Sequence, residues 1–105
     1  MIKPGDVVAI KLHMGEYNNT AYIRPVYVRA LVEKVKALGG QPMVVDTTTL
    51  PYWPYSSRTT ALDYYNTVAR NGFTNEAVGC PIVVGDGYIG TDDVLIDLPE
   101  GFILK

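Results

Sequence analysis

Lys11, His13 and Glu16 leave the first apolar run of the chain at spacings of two and three, bringing an ammonium, an imidazole and a carboxylate into one short segment. His13 is the single histidine, and its side chain is the one whose ordinary pKa permits proton transfer near neutral pH. It could ligate a metal or act as a general acid or base, with Glu16 or Asp46 orienting its second ring nitrogen. It could equally satisfy a loop carbonyl and do no chemistry. Lys11 interrupts an apolar stretch, and an unpaired buried ammonium is costly. It should pair with Asp46 or Asp86, face a phosphate or carboxylate ligand, or point out from an exposed face. Asp46 and Asp86 could hold a divalent cation such as Mg or a sugar hydroxyl, or simply cap a helix or turn. Asn19, Thr20, Arg24, Thr47 and Thr48 are candidates for a substrate or anion, with Arg24 able to clamp one bidentately. Arg58 could clamp an anion in the same way, or stand as a solvated surface group, the reading preferred for it. Tyr52, Trp53 and Tyr55, set among prolines, make a stacking surface or lid, or else pin their loop to the core. Cys80, next to a proline at the start of an apolar run, reads as inert.

These residues need a scaffold that gathers them. Asp6 to Leu12 is a β-branched apolar run that reads as a buried strand. Pro25 suits a first helical turn, and Val28, Leu31, Val32, Val35 and Leu38 recur with the helical period until Gly39-Gly40. Pro42 to Asp46 is a second strand, completing a βαβ unit whose crossover should be right-handed. A loop from Thr47 to Thr59 leads to a helix opened by the capping box Thr60-Ala61-Leu62-Asp63, which should bury Leu62, Tyr65, Val68 and Ala69 and stop at Asn71-Gly72. Thr74 to Gly79 holds one more helical turn, and Pro81 to Val84 a third strand. Val94 to Leu98 and Phe102 to Lys105 flank Pro99-Glu100-Gly101 as an expected hairpin. The fold class is therefore α/β, a three-layer, mostly parallel sheet of βαβ units. In such sheets ligands collect beyond the carboxyl ends of the strands, where Lys11, His13, Asp46, Thr47, Thr48 and Asp86 fall.

Composition narrows the chemistry. The chain has 105 residues, 48% hydrophobic, enough for a single α/β domain with one modest core. Nine Lys and Arg against eleven Asp and Glu, without a run of either sign, give no footprint for nucleic acid. No stretch approaches the length of a membrane span and no apolar leader opens the chain, so a cytoplasmic location is the default. One cysteine excludes an internal disulfide, and one cysteine with one histidine excludes a four-ligand Cys/His zinc site. The standard phosphate loops G-x-x-x-x-G-K-[ST] and G-x-G-x-x-G are absent, as is the G-x-S-x-G nucleophile elbow.

Three segments carry a family resemblance: VVAIKLHMGEYNNTAYIRP, VRALVEKVKALGGQPMVVDTTTLP and ARNGFTNEAVGCPIVVGDG. With K-x-H-x-G-E, D-T-T-T and G-F-T…P-I…D-G in order, the chain resembles the amino-terminal part of the uncharacterised iron-sulfur centre proteins, a domain of unknown function. The resemblance implies a longer parent protein, with a second α/β portion and often a ferredoxin-like module holding two [4Fe-4S] clusters. No C-x-x-C-x-x-C-x-x-x-C run occurs here, so clusters are expected only in a downstream part. The chain is then a fragment whose partner is the carboxyl-terminal half of its parent. It would supply ligand, metal or substrate contacts to redox chemistry, with His13, Glu16 and Lys11 as catalytic candidates and Asp46 and Asp86 as metal candidates. A small-ligand or anion-binding module and a purely structural or interaction domain are the alternatives. A free sheet edge would allow a homodimer by β-pairing.

Overall fold

The computed structural model describes residues 1–50 and 57–97. Its elements are β1 (Val7–Lys11), α1 (Pro25–Ala37), β2 (Gln41–Asp46), α2 (Ala61–Arg70), α3 (Asn75–Val78) and β3 (Ile82–Val84). The three strands form one parallel sheet in the order β1-β2-β3, with Ile10 beside Val44 and Val44 beside Ile82. Parallel neighbours require crossovers, and two right-handed crossovers taken in the same direction put their helices on one face. The core has this form. Val28 and Val32 of α1, Tyr64 and Val68 of α2, Val78 of α3, and the loop residues Met14, Phe73 and Cys80 pack on Val44, with Ile10, Ile82 and Val84 beside them. The described residues thus supply a sheet and one helical layer. The other sheet face carries Val7 and Ala9, both exposed, and Met43, Val45 and Val83, half-buried.

Local sequence explains where the elements begin and end. Pro25 opens α1, and Gly39, at φ +83°, follows its last turn in the left-handed conformation. Thr60 and Asp63 form the expected reciprocal capping box on α2. Two core assignments shift. Leu31 and Leu38 are exposed, because only the narrower stripe Val28, Val32 and Val35 faces the sheet. On α2 the buried residues are Tyr64, Thr67 and Val68, while Leu62, Tyr65 and Ala69 are exposed. Helical period alone fits either set. The choice follows from polar partners, since the Tyr64 hydroxyl bonds to Asp46 and the Thr67 hydroxyl donates to the Ser57 carbonyl at 2.6 Å.

Thr91 to Asp97 form no strand. The turn expected at Pro99-Glu100-Gly101 and the strand at Phe102 to Lys105 lie outside the described residues, as do Tyr52, Trp53 and Tyr55. Among the described residues no helix is long and apolar enough to cross a membrane.

Candidate functional site

The carboxyl end of β2 places Asp46 on the helical face of the sheet, where it is 2% exposed. A buried carboxylate needs donors, and three side chains supply them. Lys11 of the neighbouring strand reaches it with Nζ at 2.5 Å, Arg58 donates from Nη1 at 3.2 Å, and the Tyr64 hydroxyl donates from α2. Burial by itself would raise the Asp46 carboxyl. The Lys11 ammonium, the Tyr64 hydroxyl and the Thr47 amide outweigh it and hold the group below its ordinary value of 3.8. Burial and the same carboxylate push the Tyr64 phenol well up, so it stays a hydroxyl donor.

Arg58 continues the network. Its guanidinium is buried, lies over the Tyr64 ring at 5.5 Å, and pairs through Nη2 with Glu16 Oε1 at 2.7 Å. Its Nε is buried with no hydrogen-bond partner among the described residues. The surface role expected for Arg58 is therefore corrected. Asp46 and Glu16 bring two negative charges to this edge and Lys11 supplies only one positive charge, so a second cation is needed there, and Arg58 fills that place. Glu16 also accepts from the Ser57 hydroxyl at 2.6 Å, and the Tyr17 amide donates to the same Ser57 oxygen at 3.1 Å.

His13 stands at the exposed end of this chain of contacts. Its Nδ1 accepts the Gly15 amide at 3.0 Å, which fixes the proton of the neutral ring on Nε2. Nε2 faces Glu16 Oε1 at 3.6 Å, longer than a good hydrogen bond. The loop that presents it is tied down at several points. Asn71 donates to the Met14 carbonyl at 3.0 Å, and Arg70 stacks on the Tyr17 ring at 4.0 Å and bonds its hydroxyl. Gly15 adopts φ +93°, and a Cβ there would stand 2.6 Å from Asn71 Nδ2 and 2.9 Å from Tyr22 Cδ1. Only glycine fits that position.

The structure thus brings together Lys11, His13, Glu16 and Asp46 and adds Arg58, Tyr64 and Ser57. The other candidates lie elsewhere or are engaged locally. Both Asp86 oxygens accept the Thr48 amide at 2.9 Å, and Oδ2 also accepts the Thr48 hydroxyl at 2.6 Å, so this pair fastens the loop after β2 to the turn after β3. Asn19 Oδ1 accepts the Ala21 amide at 2.7 Å, a local turn, and Thr20 and Thr47 are exposed. Arg24 immediately precedes α1 without a side-chain cap, lies over the Tyr22 ring at 5.0 Å and donates to its hydroxyl at 3.3 Å. Among the described residues no group of three or more His, Cys, Asp or Glu is arranged to hold a metal. Cys80 is buried, and burial pushes its thiol up. A single buried thiol does not fit a [4Fe-4S] cluster, which takes four cysteines.

Ser57 and Tyr64 escaped sequence reasoning because a serine in a loop and a tyrosine in an amphipathic helix have no distinctive spacing. The one available signal was the charge count at the sheet edge, which asks for a second cation without saying which.

No curated protein and no solved structure matches the chain. A family match runs from residue 8 to residue 105. Over nearly its whole length, including every strand end that builds the site, the chain belongs to the family described as Domain of unknown function (DUF362).

Proposed function

We propose that this chain forms one wall of a binding site for a small anionic substrate at the carboxyl edge of its sheet. The observation that supports this is the way the ion pairs face. The Lys11 side chain is 62% exposed while that of its partner Asp46 is 3% exposed, so a ligand arriving from solvent meets the ammonium before the carboxylate. His13 stands on the same strand exit, and among the described residues its Nε2 proton has no acceptor nearer than Glu16 Oε1 at 3.6 Å. A carboxylate or phosphate ligand would take Lys11 as its counter-charge and His13 Nε2–H as a directional donor or proton source, with the Gly15 amide on Nδ1 holding the ring. A divalent metal between Asp46 and Asp86 has less support, because each carboxylate is already engaged by its own donors. The resemblance to iron-sulfur centre proteins extends the proposal. Within a longer parent protein the site would contribute substrate contacts to redox chemistry, with any cluster carried by other parts of that protein.

Calorimetric titration of the chain with inorganic phosphate, a nucleoside triphosphate and a dicarboxylate tests the reading. At least one should bind with a Kd at or below about 1 mM, equivalent to ~4 kcal/mol, and Lys11→Met should lose that heat while keeping its fold. Absence of heat for all three, or unchanged binding in Lys11→Met, would overturn it. A purely structural role predicts that Lys11→Met lowers the melting temperature and changes no binding.

A further inference from the structure

Two apolar features of this chain have no cover among the described residues. The first is Val94-Leu95-Ile96, three consecutive residues with no regular structure, of which Leu95 is 96% exposed. The second is the free edge of β1. Asp6 accepts from Gln41 at 2.8 Å and Leu12 donates to Val45 at 3.1 Å, so the even-numbered residues face β2. By the alternation of a parallel ladder, the backbone groups of Val7, Ala9 and Lys11 point outward, and among the described residues no strand pairs with them.

The helix above that edge is unfinished on the same side. Arg29 and Lys36 of α1 bond to the carbonyls of Glu76, Ala77 and Gly79, which puts α3 against one flank of the helix. The opposite flank, turned away from α3 and β3, carries Tyr27, Leu31 and Leu38, all exposed. A strand added to β1 would have this stripe as its roof.

We infer that Val94–Ile96 of a second copy of the chain is that strand, so that two copies exchange segments reciprocally. The segment cannot serve its own β1. Asp92 is bonded to Asp86 beyond β3, and the outer edge of β1 lies three strand spacings away, about 14 Å. Two residues from Asp92 to Val94 span at most ~7 Å. A second copy has no such restriction, and a reciprocal exchange closes as a two-fold dimer. Charge agrees. Asp92, Asp93 and Asp97 flank the apolar triad, and Lys34, without an ion pair among the described residues, lies along that exposed flank of α1. Val94 and Ile96 share one face of an extended segment and would pack under Leu31, with Leu95 on the open face beside Val7 and Ala9.

Sedimentation velocity on the 105-residue chain at about 100 μM tests the inference, and it is independent of the proposed anion site. The chain should sediment as a dimer. Val94→Lys combined with Ile96→Lys changes only exposed side chains and should give a folded monomer. Ala9→Pro removes one outward amide without touching the β1–β2 ladder and should also give a monomer, its fold checked by circular dichroism. A monomeric wild type overturns the inference. A dimer lost in Ala9→Pro but kept in the lysine double variant means that two β1 edges pair with each other, and also overturns it.

Discussion

Replacing Arg58 with methionine keeps side-chain length and removes a buried cation from between two acids. Asp46 then retains Lys11 and Tyr64, Glu16 retains Ser57, and the cluster of Lys11, Asp46 and Glu16 carries an uncompensated negative charge. The Arg58–Asp46 pair is buried on both sides, with side-chain exposures of 8% and 3%. Breaking such a pair from one side costs about 3–5 kcal/mol. That is a large share of the roughly 5–15 kcal/mol that holds a domain folded. At about 4 °C per kcal/mol for a domain near 100 residues, Arg58→Met should melt some 12–20 °C below wild type. Glu16→Gln removes the other pair, but the Glu16 side chain is 40% exposed, so solvent screening limits the loss to about 1 kcal/mol, or roughly 4 °C. Melts followed by circular dichroism at pH 7 give the ordering. A double-mutant cycle should find coupling on the order of 1–3 kcal/mol between Arg58 and Asp46 and less between Arg58 and Glu16. If Glu16→Gln costs as much as Arg58→Met, or if Arg58→Met melts within about 4 °C of wild type, the network is not what holds this edge.

Other consequences are open to equally direct measurement. The Asp46 carboxyl is held below 3.8, so it binds fewer protons folded than unfolded. Its stabilisation is present above the unfolded value and disappears as pH falls through the folded one. The melting difference between wild type and Asp46→Asn should shrink as pH drops below 3.8, and a constant difference would contradict the ion pair. Gly15→Ala must adopt φ +93° and displace Asn71 from the Met14 carbonyl. The conformation alone costs about 1–2 kcal/mol, and the clash adds to it, so a variant melting like wild type would show that the His13 loop is not fixed in this form. Thr48→Val loses the hydroxyl bond to Asp86 while keeping the amide bond and should cost about 1 kcal/mol by urea denaturation. Cys80 is 6% exposed with its thiol pushed up, so it should resist iodoacetamide at pH 8 until the protein is unfolded; rapid native labelling would refute its burial.

Much of the scaffold was legible in local patterns. Apolar runs located all three strands because strands inside a parallel sheet are short and β-branched, and Pro25, Gly39, Thr60 and Asp63 set the helix limits because caps and breakers act within one turn. The rotation of α2 was not legible. A helix with apolar and aromatic residues on two sides can bury either, and the partner that decides, Asp46, is distant in sequence.

The same division holds at the site. Sequence by itself put Lys11, His13, Glu16, Asp46, Thr47, Thr48 and Asp86 at the carboxyl ends of the strands, because parallel strands deliver those ends to the same side. It also left Lys11 three choices, a carboxylate partner, an anionic ligand or an exposed face, since an ammonium on a strand cannot stay buried alone. Which carboxylate, and what else must stand beside it, only the tertiary structure decided. The network links the end of β1, the end of β2, the loop at Ser57-Arg58 and α2, and the choice of Arg58 as second cation depends on burial that no spacing encodes. Side chains far apart in the chain become partners only when the surrounding core removes water and leaves each charge no other neighbour.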